Sequence, residues 1–316
     1  MILLTGVTGT VGRLVAERLP AGEPVRLLTR APRRTAAPAR PGCEVVTGDF
    51  ADPTSLDGAL AGVRAAFLVT SDPLTHAHDE HFVAAARAAG VRLVVKLSAR
   101  AVAEPGATDL ITRWQRANEE LIRASGLEWT FLRPRAFMSN TLGWARSVRE
   151  EGVVRAYGSE SAGATVDPRD IADAAVLCLT GDGHAGRAYS LTGPRAISAA
   201  GQVAVLSGLL RRPLRCVELT WDQAYERLLA RYPSAVAAAL MEGAGRQRSG
   251  AKTRVEPTVE RLLGRPARSY EAWARGHLGA FRPGPGGAEG GAEGSAEGSA
   301  EGSAEGNAEG NAEGSA

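Results

Sequence analysis

Along the first 160 residues, short apolar runs alternate with longer segments of helical periodicity. Residues 2–5, 25–29, 44–47, 66–70, 93–98 and 129–133 are runs of four to six residues rich in Val, Leu and Phe, the pattern of strands buried on both faces. Between the first two, Val11, Leu14, Val15 and Leu19 share one helical face, and Pro20 ends the segment. Residues 80–89 form a further helix that stops at Gly90, where glycine supplies the backbone freedom of a helix C-terminus. Regular alternation of strand and helix predicts a parallel sheet covered on both faces. Beyond about residue 155 the pattern loosens into one strand-like run, AYSLTG, and several helices. The chain therefore divides into a core at 1–155 and a smaller lobe at 156–281. Residues 282–316 are a Gly, Ala, Ser and Glu repeat with no apolar side chain larger than Ala beyond Pro285, which predicts a disordered acidic tail.

Composition narrows the classes. With 316 residues, 44% of them hydrophobic, the chain can bury one large core and an added lobe. The N-terminal run lacks a charged leader and a cleavage site. No apolar stretch approaches the roughly 20 residues that span a bilayer. A cytoplasmic protein with no membrane association is expected. Cys43, Cys178 and Cys216 are odd in number and far apart, as reduced thiols are. The formal charge of +2 conceals an asymmetry: residues 282–316 carry seven Glu and one Arg, so the remainder stands at +8. The arginines are scattered rather than gathered in blocks, which argues against nucleic acid as a partner and for a small anionic ligand.

The chemistry begins at TGVTGTVG. Gly6, Gly9 and Gly12 lie between the first strand and the first helix, where a chain without Cβ atoms can bend sharply and admit a diphosphate to the amides of the helix N-terminus. The spacing is GxxGxxG rather than GxGxxG, but the placement is the one the mechanism requires. At the end of the second strand, VRLLTRAPRR has no acid to accept from ribose hydroxyls. Arg30, helped by Arg33 or Arg34, is expected to grip a 2′-phosphate, which makes NADPH the cofactor. TGDFADP offers Asp49 and Phe50 for adenine, while Asp52 caps the next helix. The expected cofactor set is Gly6, Thr8, Gly9, Thr10, Val11, Gly12, Arg30, Arg34, Asp49, Phe50, Val69, Thr70, Ser98 and Pro134. The fold class is α/β, a Rossmann-type doubly wound parallel sheet with a smaller substrate-side lobe.

The segments TGVTGTVG, GDFADP, AARAAGVRLVVKLSA, NEELIRASGLEWTFLRPRAFMSN, VDPRDIADAA, AYSLTGP and VERLLGRPARSYEAWARGHLGAF together resemble the NmrA-like, atypical short-chain dehydrogenase/reductase family, over nearly all of residues 1–281. The resemblance implies NADP(H) binding, with activities from quinone and ketone reduction to nucleotide sensing without catalysis. Typical short-chain reductases hold a Tyr and a Lys four residues apart on one helical face, the Lys lowering the Tyr pKa for proton donation. The corresponding positions here are Ile111 and Gln115, and neither ionises.

Two readings follow. An enzyme lacking that pair takes its proton from Ser98, from water, or from an acidic group on the substrate, with Gln115 hydrogen-bonding a ribose hydroxyl or a substrate oxygen. Ser98 and Gln115 are then the candidate catalytic residues, and Trp114, Phe137 and Asn140 line the substrate side. Ser98 equally reads as a hydroxyl that satisfies the local backbone. The expected substrate is a small, aromatic polyketide-like ketone or quinone, of the kind met in antibiotic biosynthesis. The alternative is a non-catalytic NADP(H) sensor. THAHDEH places His76, His78 and His81 near one another, but without a Cys partner this is a helix start rather than a metal site, and no metal is expected. Asp167 and Asp170 read as a turn and a helix cap, and no GxSxG elbow is present.

Overall fold

The computed structural model describes residues 1–32 and 42–282, so Arg34 and residues 283–316 of the expected tail lie outside the described residues. The core runs β1 (Ile2–Leu4), α1 (Thr10–Arg18), β2 (Val25–Thr29), β3 (Cys43–Thr47), α2 (Pro53–Leu60), β4 (Ala65–Leu68), α3 (Ala77–Ala88), β5 (Leu93–Leu97), α4 (Leu110–Ala124) and β6 (Glu128–Pro134). It continues through α5 (Ala145–Glu151), β7 (Val153–Ala156), α6 (Pro168–Thr180), β8 (Arg187–Leu191), α7 (Ala199–Leu210) and β9 (Arg215–Glu218). The helices α8 (Trp221–Leu229), α9 (Ser234–Arg248), α10 (Thr258–Leu263) and α11 (Tyr270–Gly276) complete it. Among the described residues, seven strands form one sheet in the order β3-β2-β1-β4-β5-β6-β8, every pair parallel.

Alternate residues of each strand feed opposite cores. Ile2 and Leu4 pack with Val15, Ile171 and Ala175 on one side of the sheet. Leu3 packs with Leu56, Phe82 and Ile122 on the other. Helix starts are fixed locally: Asp52 accepts from Thr54 N at 3.1 Å, Asp109 from Thr112 N at 2.9 Å, and Asp167 from Arg169 N at 2.8 Å. The cap is Asp167, and Asp170, within the first turn of α6, has a different role. Buried completely, it accepts from Arg268 N at 2.7 Å and pairs with Arg265 at 2.8 Å, tying the C-terminal segment to α6.

The division at residue 155 does not hold in space. β8, which contains the AYSL run, pairs with β6 in the main sheet, and α6 packs on α1 beneath it. What stands apart is the small β7–β9 pair with α7 and α11, around Met138, Val154, Leu206 and Trp273. No helix among the described residues is long and apolar enough to cross a membrane.

Candidate active site

Because all seven strands are parallel, their carboxyl ends form one rim, and the strand order reverses beside β1, which has β2 on one side and β4 on the other. This is the crevice in which such sheets bind ligands. The turn from β1 to α1 sits there. Gly6 has φ +62, and a Cβ on it would come within 2.9 Å of Val69 Cβ. Gly12 lies still closer, since a Cβ there would stand 2.1 Å from the Gly6 carbonyl oxygen. Gly9 is the N-cap of α1, with extended backbone and no side chain to occupy the helix end. The first turn of α1 carries no acid, so its positive end, worth about half a charge, faces the turn unneutralised. Gly6 and Gly12 thus let the turn close on Val69 and on its own backbone, and Gly9 leaves the helix end bare, the kind of turn that receives a diphosphate.

The remaining expected cofactor residues surround this turn or extend along the rim. Thr8 is exposed within the turn, Thr10 opens α1, and Val11 is buried and anchors the helix to the core. Val69 N donates to Thr5 Oγ1 at 2.8 Å, which draws β1 and β4 together just past the end of β4. That bond explains why β4 stops at Leu68 rather than at Thr70. Arg30 is exposed, immediately past β2. Asp49 accepts from Ala51 N at 3.0 Å, and Phe50 packs edge-on against Phe82 at 6.0 Å. His81 Nδ1 lies 2.7 Å from the Phe50 carbonyl, so this histidine fixes the loop. No group of three or more metal-ligating side chains occurs among the described residues.

Below the rim lies a buried polar network that sequence reasoning missed. Lys96 Nζ donates to Thr70 Oγ1 at 2.9 Å and to Asp79 Oδ1 at 2.8 Å, and Asn118 Nδ2 donates to Asp79 Oδ2 at 3.0 Å. Lys96 and Asp79 have no exposed surface. The network pins α3 and α4 to β4 and β5 beneath the cofactor crevice. Trp114 belongs to it, with its ring 5.6 Å from Lys96 Nζ and its Nε1 donating to Thr75 O at 3.0 Å.

Farther along the rim, Ser98 follows β5 and donates to Glu119 Oε1 at 2.7 Å. Glu119 is fully buried and also bound by Arg133 and by Arg123 at 2.8 Å. In this structure the Ser98 hydroxyl is therefore engaged by the Glu119 carboxyl group. Gln115 differs. It is 1% exposed, and its Oε1 accepts nothing from the protein. An orphan acceptor in a dry site is costly unless a ligand supplies a donor. Pro134 ends β6 at the rim, Phe137 is buried in the core and Asn140 is exposed on the turn that follows.

A sequence model described as NAD(P)H-binding matches residues 6–182, more than half the chain. The chain belongs to this NAD(P)H-binding family. It is an NAD(P)H-dependent oxidoreductase, in the company of named reductases. It is 55% identical over 283 residues, covering 90% of this chain and 100% of the relative, to a (4-alkanoyl-5-oxo-2,5-dihydrofuran-3-yl)methyl phosphate reductase of Streptomyces griseus. It is 36% identical over 289 residues, 89% of this chain and 99% of the relative, to an NAD(P)H azoreductase of Xenophilus azovorans. An NADPH-dependent quinone oxidoreductase of Escherichia coli, solved with NADPH, superposes with a TM-score of 0.76 at 26% identity, over 88% of this chain and 99% of that one. Membership agrees with the NmrA-like resemblance, and the reductases named among the relatives favour the enzyme over the sensor.

Proposed function

We propose that this reductase uses NADPH to reduce the ring double bond of a 4-alkanoyl-5-oxo-2,5-dihydrofuran-3-ylmethyl phosphate, an unsaturated lactone bearing a phosphate ester. The observation that carries the reading is 55% identity across the whole of a relative named for that substrate. The missing acid supports it. Positions 111 and 115, Ile and Gln, hold no proton to give. In this lactone the double bond is conjugated to both the ring carbonyl and the alkanoyl carbonyl. NADPH bound at the rim would supply the hydride to ring C3, the electron pair of the double bond moving to C4, where two carbonyl oxygens share it. A carbanion so stabilised is far less basic than an alkoxide and takes its proton from water.

The chain's own work is therefore binding and orientation. The glycine turn and the α1 amides hold the diphosphate, and Arg30 grips the 2′-phosphate. Gln115 Oε1, which has no donor in the protein, would accept from a ribose hydroxyl or the carboxamide of a bound nicotinamide. Thr70, held by Lys96, and Pro134 bound the crevice. The cytoplasm, where thiols such as those of Cys43, Cys178 and Cys216 stay reduced, is its compartment. A second reading is quinone reduction, favoured by 31% identity over 204 residues to a quinone oxidoreductase of Escherichia coli. A quinone also needs no enzymic acid, since the hydroquinone anion is protonated by water.

The test is NADPH consumption by purified protein with the lactone phosphate, a naphthoquinone and a polycyclic aromatic ketone. Turnover of the lactone phosphate at a kcat/KM well above the other two is expected. Preference for the naphthoquinone, with no lactone turnover, overturns the first reading in favour of the second.

A further inference from the structure

A second buried polar cluster lies at the carboxyl ends of β5 and β6, on the same rim as the glycine turn. Arg135 follows directly on Pro134 and is 2% exposed. One of its nitrogens donates to Glu104 Oε1 at 2.6 Å, while its Nε and Nη1 have no acceptor. Arg246, on α9, reaches Asp109 Oδ2 at 2.8 Å and leaves Nε without an acceptor. Arg100, just past β5, pairs with Glu256 at 3.1 Å, and its Nε and Nη1 make no hydrogen bond. Lys252 is 1% exposed. Burial, together with the charges of Arg246 and Arg135, pushes its ammonium down to about 7, against partial support from Glu104 and Asp109. Burial likewise lowers Arg135, with Arg100 and Arg246 adding to the effect and Glu104 opposing it.

Five guanidinium nitrogens of Arg100, Arg135 and Arg246 thus lie buried without an acceptor, beside a Glu104 Oε2 that has no donor. A purely structural network would match its donors, because unpaired donors in low dielectric are retained only at a cost. We infer that this cluster is an anion subsite that takes the phosphate monoester of the substrate through Arg135, Arg246 and Lys252. The inference rests on the substrate reading above and deepens it. A phosphate dianion supplies acceptors in the forked geometry that guanidinium groups match. It also favours the charged form of Lys252, which burial and the neighbouring arginines disfavour. Asp109, the N-cap of α4, ties the subsite to the helix that carries Gln115, so phosphate and nicotinamide contacts are fixed on one element.

The experiment uses the full chain saturated with NADP+, so that the nucleotide's own phosphate sites are filled. Inorganic phosphate is titrated calorimetrically into wild type, R246Q and K252M. Saturable binding to wild type is expected, weakened at least about tenfold in each variant while NADP+ affinity is retained as the sign of an intact fold. R246K, which keeps the charge and loses the fork, replaces R246Q should that variant not fold, and is expected to fall between the two. Absence of phosphate binding to wild type, or equal binding in all variants, overturns the subsite. Kinetics separate it from the substrate reading. Wild type is expected to favour the lactone phosphate over its dephosphorylated alcohol, and R246Q and K252M to lose that preference by about tenfold or more. Equal use of phosphate and alcohol by wild type overturns the subsite. Phosphate binding that the variants abolish, without any lactone reduction, keeps the subsite and removes the lactone as substrate.

Discussion

Replacing Gly12 with Ala tests the nucleotide cradle where its geometry is tightest. The new Cβ would stand 2.1 Å from Gly6 O, 2.6 Å from Gly6 C and 3.0 Å from Thr5 O, all backbone atoms with no rotamer to yield. Ordinary contact begins at 3.4 Å, so the first turn of α1 must retreat from the β1 turn by about 1.3 Å. An amide-to-phosphate bond of about 2.9 Å then stretches to roughly 4 Å, beyond hydrogen-bonding range. Two such charge-assisted bonds, at about 1.5–3 kcal/mol each, amount to roughly 3–6 kcal/mol. That corresponds to a loss of about 10²- to 10⁴-fold in NADPH affinity. Overpacking adds about 1–3 kcal/mol of destabilisation. At about 2–4 °C per kcal/mol for domains of 150–250 residues, Tm falls by several degrees. Gly58→Ala is the control, because it lies in α2 with nothing within 4 Å of its would-be Cβ. The control is expected to bind NADPH normally and melt no lower than wild type, as Ala is the better helix former by up to about 1 kcal/mol. Fluorescence titration of NADPH and thermal melting of both variants provide the assay. G12A binding within about threefold of wild type, with an unchanged Tm, refutes the cradle.

Three further outcomes follow from the geometry. Arg30→Ala is expected to weaken NADPH by about ten- to a hundredfold while NADH changes little, as loss of a charged phosphate contact implies; equal losses in paired titrations remove Arg30 from the 2′-phosphate. Lys96→Met leaves Asp79 buried without its cation and should cost about 3–5 kcal/mol in urea unfolding; a cost below about 1 kcal/mol shows the network to be peripheral. For Lys252, the folded-state value near 7 lies below the ordinary 10.5. Below pH 7 the ammonium is charged in both states and its burial penalty is fully present. Between about 7 and 10.5 only the unfolded chain keeps the proton, so folded stability contributed by this group rises with pH, by at most roughly 5 kcal/mol at 1.36 kcal/mol per unit. Melting of wild type against K252M from pH 6 to 9 should show that rise in wild type alone, and parallel profiles contradict it.

The strands and the nucleotide turn were legible because both are local. β2 spans Val25–Thr29 as its apolar run predicts, and the glycines fall where bend and close approach require them. The pairing of β8 with β6 was not legible, since nothing in AYSL states which neighbour it takes, and its departure from the main pattern suggested a separate lobe. Burial was the other missing quantity. Arg135, Arg246 and Lys252 read as ordinary members of a basic chain until α9 closes over α4. Ser98 stood at the expected strand end, but its partner Glu119 comes from a helix 21 residues further on, and only folding shows which way the proton points. Lys96 and Asp79 give the same lesson: a charged pair across two elements carries no local signature.

Hydride delivery to the ring carbon C3 of a phosphorylated unsaturated lactone without an enzymic acid, as proposed above, leaves its mark in the product. The direct measurement is product NMR after turnover with NADPH deuterated at the transferring position of the nicotinamide. One deuterium at ring C3, with one NADPH oxidised per saturated lactone formed, is the predicted result. Deuterium on the carbinol carbon of the alkanoyl chain, or none in the product, contradicts it.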